Sequence, residues 1–369
     1  MNSGKKIVFT VINDLSYDQR MQRICGTLSS HGYDILLVGR LLKSSKPLDE
    51  KVYRQKRIKC IFNKGMPFYA EYNIRLFFFL LFNKFDIYGA IDADTILPHA
   101  LVSNIKGKKL VYDAHEYFTE VPEVTDRKFV KKIWKNIEKL GIKKAVLCYT
   151  VASELAKVLS NNLGKQFKVI RNVPFQKHIN IDDAYITNKY NRRLIVYQGA
   201  LNRGRGLEQL IQAMQSIEAT LWIIGVGDIE IELRALVKTL NLKDKIIFKG
   251  LYKPEELGKL TEEATLGYNV LKNDGLSYYY SLSNKFFDYI QYGTPSISSK
   301  FPEYEQILKQ YAVGITSEID PTELSKNINI LLSDATLYRQ MVTNCMQARK
   351  ELNWEKESAT LIQLFNEIK

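Results

Sequence analysis

Cysteine is scarce in this sequence and nowhere paired: Cys25, Cys60, Cys148 and Cys345 stand far apart among 369 residues. That scatter excludes a disulfide framework and a cysteine-based zinc site, and it fits a reducing compartment. Long apolar runs are also missing. The longest, Leu76 to Phe82, has seven residues, far short of the roughly twenty that cross a bilayer. The opening stretch MNSGKKIVFTVI enters a βα pattern at once and shows no small-residue cleavage site, so no signal peptide is expected. Glycine is absent from the loop INDLSYDQR, which follows the first expected strand. A nicotinamide-dinucleotide domain needs Gly-x-Gly-x-x-Gly at that place, so this class is disfavoured.

Acidic residues are in deficit in one half only. Residues 1–173 hold 30 Lys and Arg against 16 Asp and Glu, whereas 174–369 hold 23 against 24, so the whole net charge of +13 comes from the first half. Two stretches concentrate it, Lys43 to Lys64 and Arg127 to Lys144, each with eight basic residues. The second reads as an amphipathic helix with Phe129, Ile133, Ile137 and Leu140 on one side and Lys128, Lys131, Lys135 and Lys139 across from them. Such a helix either lies on an anionic membrane or covers a core with a solvated lysine face. Nucleic acid is not an expected partner, because no zinc-finger spacing, RNP-like aromatic motif or helix-turn-helix accompanies the charge.

What is present in abundance is apolar content, 46% of residues, in a chain about twice the length of a typical domain. Two cores are therefore expected. The second half carries three informative pieces in order: YQGALNRGRGLEQLI at 197–211, IIGVGD at 223–228 and SNKFFDYIQYGTPSIS at 283–298. In the first, an apolar strand enters a loop with Gly199, Gly204 and Gly206. A helix follows, with Leu207, Leu210, Ile211 and Met214 at i, i+3, i+4 and i+7. Glycines admit an anion close to the backbone, a helix N-terminus attracts it, and the planar fork of Arg205 can grip two oxygens. The third piece reads as a helix from Ser283 to Gly293 with Asn284, Lys285 and Asp288 on one face. A carboxylate there can accept from ribose hydroxyls while the lysine meets phosphate. The bland alternative is a surface helix with an i, i+3 ion pair. Three such pieces at the spacing of successive βα units point to a nucleoside-diphosphate pocket at the carboxyl ends of a parallel sheet.

In these motifs the chain resembles the retaining glycosyltransferases of the GT-B fold, of the family-4-like (group 1) type, over nearly its whole length. The resemblance implies an α/β protein of two Rossmann-like domains facing across a cleft. Residues 1–173 would bind the acceptor, 174–351 the nucleotide sugar, and 352–369 would form a helix returning to the first domain. Arg205 and Gly206 fall where the family has a lysine–glycine pair that binds the diphosphate. The family's diphosphate-binding arginine falls on Ala200, and Arg203 is the expected substitute. Of two family glutamates seven residues apart, the second, which holds the ribose, falls on Asp288. The first, which touches the donor sugar, falls on Tyr280. Gly225 and Gly227 match a Gly-x-Gly turn, and Lys249, in FKG, lies where the base sits.

The implied activity is transfer of a sugar from a nucleotide-diphosphate donor to an envelope glycan or lipid-linked acceptor. Retention of configuration is implied, with no metal and no cofactor, in the cytoplasm with contact at an anionic inner membrane face. A non-catalytic relative serving as a scaffold is the alternative, which Ala200 and Tyr280 favour. His115, in LVYDAHEYF, matches the family's cleft histidine and joins Arg205 and Lys285 as the expected catalytic groups. Glu116 beside it, with Asn13, Asp18 and Arg20 of the glycine-free loop, is expected on the acceptor side, a helix cap being the plain alternative for Asp18. Asp92-Ala93-Asp94 after an apolar strand also admits the divalent-metal reading of the other glycosyltransferase fold, GT-A. The segment FYAEYNIRLFFFLLFNKFD at 68–86 is apolar on all sides and reads as a buried helix.

Overall fold

The computed structural model describes residues 4–16 and 18–368, which form two compact units. The first holds the described residues up to Arg171, joined by Gly275–Ser277 and by those from Glu357 onward; the second holds Asn172–Asp274 and Tyr278–Lys356.

The first unit is built on seven parallel strands: β1 (Lys6–Thr10), β2 (Asp34–Leu41), β3 (Arg54–Lys59), β4 (Ile87–Ile91), β5 (Lys109–Ala114), β6 (Leu147–Thr150) and β7 (Phe167–Val169). Their order across the sheet is β3-β2-β1-β4-β5-β6-β7. The order reverses at β1, the arrangement that gathers loops at the carboxyl ends of the strands. The central strands β1, β4 and β5 are largely apolar and, past the opening lysines of β1 and β5, buried on both faces, as parallel strands between helix layers are. The helices are α1 (Gln19–Ser30), α2 (Gly65–Phe82), α3 (Ala93–Ile105), α4 (Pro122–Thr125), α5 (Lys128–Gly141) and α6 (Ser153–Leu163).

Helix α2 corrects one expectation. Phe68, Tyr72, Leu76 and Leu80 are buried at i, i+4, i+8 and i+12, but Ile74, Phe78 and Phe82 are 58%, 50% and 80% exposed. An all-apolar helix carries no pattern that tells its inner from its outer face. Helix α5 is amphipathic as expected, yet its apolar side is not turned to the core: Phe129 and Leu140 are exposed and Ile133 and Ile137 only half-buried.

The second unit has six parallel strands, β8 (Leu194–Gln198), β9 (Thr220–Ile224), β10 (Ile246–Gly250), β11 (Leu266–Asn269), β12 (Ser296–Ser299) and β13 (Gly314–Ser317), in the order β10-β9-β8-β11-β12-β13. The helices from here on are α7 (Asp183–Asn191), α8 (Leu207–Ala213), α9 (Glu230–Thr239), α10 (Pro254–Glu263), α11 (Leu276–Tyr279) and α12 (Asn284–Gln291). Then come α13 (Pro302–Tyr311), α14 (Pro321–Ser333), α15 (Ala335–Ala348) and α16 (Trp354–Asn366). Leu207, Leu210, Ile211 and Met214 all enter the core of this unit. The last turns of α16 belong to the first unit, where the Phe365 ring meets Phe9, Tyr33 and Tyr149.

Candidate active site

The glycine loops of the second unit lie together because the ends of β8, β9 and β10 are stitched by backbone hydrogen bonds. Gly199 N–H donates to the Ile224 carbonyl at 2.9 Å, Leu201 N–H to Val226 at 3.0 Å, and Gly225 N–H to Gly250 at 2.8 Å. The fit leaves no room for a side chain. A Cβ on Gly225, whose φ is +138°, would stand 1.9 Å from the Gly199 carbonyl oxygen, and one on Gly227 would stand 2.4 Å from that of Leu201. Gly206 precedes α8 in the left-handed region at φ +66°, and Tyr268 Oη donates to its carbonyl at 2.8 Å. Helix α8 has no side-chain cap, so its first amides remain for solvent or an anion.

Two cations flank this loop. Lys285, in the first turn of α12, reaches back over it: its Nζ lies 4.0 Å from the Tyr197 ring centroid and would be 3.3 Å from a Cβ on Gly199. Arg205 lies against the Tyr278 ring with Cζ 5.5 Å from its centroid, and its buried Nε has no hydrogen-bond partner among the described residues. Neither cation forms a salt bridge among the described residues, in contrast to Arg192, Arg234 and Lys245 of the same unit. Burial and the nearby Arg205 push the Lys285 ammonium well below the usual lysine range. Two half-buried cations that repel each other across a glycine loop are stabilised by an anion between them.

The other expected donor-side residues divide. Asp288, one turn along α12, accepts from Gln198 Nε2 at 3.3 Å, and Gln198 is itself held by Thr261 Oγ1 at 2.8 Å. Asn284 is exposed and accepts from Asn172 Nδ2 at 2.7 Å. Lys249 stacks on Trp222, with Nζ 4.0 Å from its centroid, at the end of β10. Arg203 does not join Arg205: it is 77% exposed and pairs with Glu232 at 3.0 Å. Tyr280 packs edge-on against Tyr279. Sequence reasoning passed over Tyr197 and Tyr278, the rings on which the two cations rest. Their signal was an aromatic residue beside each glycine or cation motif.

In the first unit the chemistry gathers at the ends of β4 and β5. Asp113, fully buried in β5, receives Arg20 Nε at 3.0 Å and Arg20 Nη2 at 2.8 Å, while His115 Nε2 lies 3.1 Å from its Oδ2. Arg20 Nη1 donates to the Ile170 carbonyl at 2.7 Å. The His115 amide donates to Asp92 Oδ1 at 2.8 Å, and its Nδ1 is 4.0 Å from Asp92 Oδ2. Asp92 sits at φ +56° without being glycine, a strained conformation of the kind that clusters at functional sites. Burial alone would depress the His115 imidazolium, but the Asp113 carboxylate, helped by Asp92, lifts it to about 9. Burial raises Asp92 to about 7 against the opposing pull of His115. Burial would also raise Asp113, but Arg20 and His115 hold it below the usual carboxylate range. His99, by contrast, is pushed down to about 3 by burial and serves as a neutral partner of Thr10. The imidazole of His115 is therefore cationic near neutral pH and held by a carboxylate, suited to donating a hydrogen bond or proton.

The acceptor-side candidates take different places in the first unit. Arg20 does not face an open surface; it is 3% exposed and braces Asp113. Asp18 caps α1, accepting from Met21 N–H at 2.9 Å, and Asn13 Nδ2 donates to the same carboxylate at 3.1 Å. Arg20 and Asp18 serve the local fold, because a buried arginine and an N-cap aspartate satisfy backbone and charge first, whereas Asn13 is exposed. Glu116 is exposed, and its charge raises Asp92 and Asp94. Asp94 is buried in the first turn of α3, and burial lifts its carboxyl well above the usual range. Among the described residues no group of three or more His, Cys, Asp or Glu is placed to hold a metal ion.

The family profile described as Glycosyl transferases group 1 matches residues 180–347. Among curated proteins none matches the sequence. Similar solved structures include sucrose-phosphate synthase from Thermosynechococcus elongatus, 17% identical, covering 98% of each chain with a TM-score of 0.79. Anabaena HepE in complex with UDP is 14% identical, covering 98% of this chain and 99% of that one, TM-score 0.74. A glycosyltransferase from Rickettsia africae is also 14% identical, covering 100% of this chain and 99% of that one, TM-score 0.75.

Proposed function

We propose, on the premise that this chain is a group 1 glycosyltransferase of the GT-B fold, that it transfers a hexose from a nucleotide-diphosphate donor to an envelope glycan or lipid-linked acceptor. The observation that carries this reading is the pair of unbridged cations, Arg205 and Lys285, resting on Tyr278 and Tyr197 around the glycine loop. A departing nucleoside diphosphate supplies the anion this pair lacks. Preorganised cations and backbone amides aimed at developing charge act most strongly where water is scarce. The HepE structure with UDP supports a nucleoside-diphosphate ligand, and Asp288, poised on Gln198, is the acceptor for ribose hydroxyls.

Charge on the leaving group is met by Arg205 and Lys285 without a metal in this reading, and configuration is retained, the departing phosphate helping to deprotonate the acceptor on the same face. His115 contributes a hydrogen bond or proton from its carboxylate-held imidazolium. The basic excess of the first half, +14 over residues 1–173, supports peripheral contact with an anionic membrane and an acceptor presented there. Among the described residues no helix is long and apolar enough to cross a membrane.

Thermal unfolding with UDP, GDP and ADP tests the donor reading. A ligand at 100 times its dissociation constant stabilises by about 2.7 kcal/mol. The expected outcome is a shift with one base that is lost in Arg205→Ala and in Asp288→Ala. A folded protein that responds to none of the three favours the scaffold reading, to which Ala200 and Tyr280 lend weight.

A further inference from the structure

Helices α2, α3 and α5 pack side by side, α3 between the other two. Each turns large apolar side chains outward. On α2 these are Ile74, Phe78 and Phe82, and on α3 Leu97, Leu101 and Ile105, both at i, i+4 and i+8; on α5 they are Phe129 and Leu140. An i, i+4, i+8 stripe belongs on the buried side of a helix, where α2 already has a second such stripe. Together these eight side chains expose apolar surface on the order of 1,000 Å², above the few hundred a monomer usually shows in one patch.

The charge around it selects the occupant. Helix α5 carries Lys128, Lys131, Lys132, Lys135 and Lys139, and its one acid, Glu138, is buried and receives the Tyr112 hydroxyl at 2.7 Å. Lys131 is paired with Glu120, and the other four lysines are not paired with an acid among the described residues. On α2, Glu71 is tied to Arg75 and to the amides of Ile61 and Phe62, and the one acid of α3, Asp94, is buried. A second copy of this chain would bring the same lysines face to face. An anionic lipid surface offers acyl chains to the rings and headgroup charge to the lysines.

We propose that the outward apolar face of α2, α3 and α5, bordered by the lysines of α5, is the surface by which the protein docks on an anionic bilayer. The inference gives the membrane contact of the proposed function a defined location and rests on that reading. Aromatic rings sink to the headgroup level and lysines stay above it.

The test is co-sedimentation of the full chain with vesicles of equal parts phosphatidylglycerol and phosphatidylcholine, and with phosphatidylcholine alone. The triple variant Phe82→Ser/Ile105→Ser/Phe129→Ser alters only exposed side chains, and its melting temperature is compared with that of the parent. The expected result is binding to the anionic vesicles that falls by about tenfold or more in the triple variant and is weaker on neutral vesicles. The nucleotide-induced shift in melting temperature stays unchanged. Equal vesicle affinity of the parent and the triple variant overturns the proposal. So does a dimer in sedimentation that the triple variant abolishes, since the face would then belong to a second copy. Vesicle binding through this face in a protein that answers no nucleotide sinks the glycosyltransferase reading and leaves the docking surface in place.

Discussion

Replacing Asp113 by asparagine removes a charge while keeping the shape. The carboxylate is fully buried and takes two hydrogen bonds from a guanidinium that is itself 3% exposed, plus one contact of 3.1 Å from His115 Nε2. Arg20 would keep the Ile170 carbonyl and one amide oxygen as acceptors, while the new NH2 group faces its other N–H and the opposing charge is gone. Breaking a buried ion pair by removing one partner costs about 3–5 kcal/mol, because the remaining charge stays buried without compensation. For a unit of this size that lowers the melting temperature by on the order of 10 °C. The second consequence is chemical. Asp113 is the main support of the raised His115 pKa of about 9, so in the variant the imidazole loses its proton at distinctly lower pH. Turnover measured against pH should then lose its alkaline limb earlier, by more than about one unit. A double variant, Arg20→Met/Asp113→Leu, separates the two effects: it should recover much of the lost stability while leaving the alkaline limb displaced. Thermal scans and pH profiles on the three proteins decide the matter. If Asp113→Asn melts with the parent and keeps its pH profile, Asp113 neither carries Arg20 nor positions His115.

Three further outcomes rest on the same geometry. Gly225→Ala, whose Cβ would stand 1.9 Å from the Gly199 carbonyl at a φ of +138°, should cost about 3 kcal/mol or more and abolish the nucleotide-induced shift; a fully stable, ligand-responsive variant would show that the two loops can part freely. Gly26→Ala, in α1 with nothing within 4 Å of the new Cβ, should raise stability by about 0.5–1 kcal/mol in a denaturant titration, and a loss there would contradict the open space. The stability contributed by His115 and Asp92 should also fall as pH rises. His115 titrates at about 9 in the fold against 6.5, so its contribution is complete below about 6.5 and lost through about 9; Asp92, raised to about 7, costs stability as it ionises above the ordinary carboxylate range. The two act in the same direction, whereas Lys285 and Lys189, which burial holds below the usual lysine range, act in the other. The test is therefore the stability difference between the parent and His115→Gln, which should shrink from pH 6.5 to 9, and a constant difference would refute the assigned contacts.

Strands and donor loops were legible because their signals are local. YQGALNRGRG gives an apolar strand, a glycine loop and the approach to a helix within a few residues, and the structure places Gly199, Arg205 and Lys285 around one loop. What resisted reading depends on distant partners or on orientation. Arg20 meets Asp113 across 93 positions of sequence, so a polar residue near a strand end looked like a ligand when it was a brace. The available clue was Asp113 itself, an acid inside a strand buried at nearly every position, where charge demands a partner. Arg203 and Arg205 lie two apart in a loop, where no periodicity says which side chain turns inward. In α2 the apolar residues run all round, so hydrophobicity was plain and facing was not. The lysines and apolar residues of α5 were read as two sides of a helix; only the packing of α3 against it shows that the apolar side is left outside.

The central claim is that Arg205 and Lys285 neutralise a departing nucleoside diphosphate as sugar is transferred. The most direct measurement is release of nucleoside diphosphate from nucleotide sugars, with a chelator present, by the parent protein and by Arg205→Ala and Lys285→Met. The account predicts release from one donor by the parent in the chelator and a fall of about 100-fold or more in each variant, as loss of a preorganised charged donor causes. Release that needs an added divalent ion, or variants that turn over as fast as the parent, would contradict it.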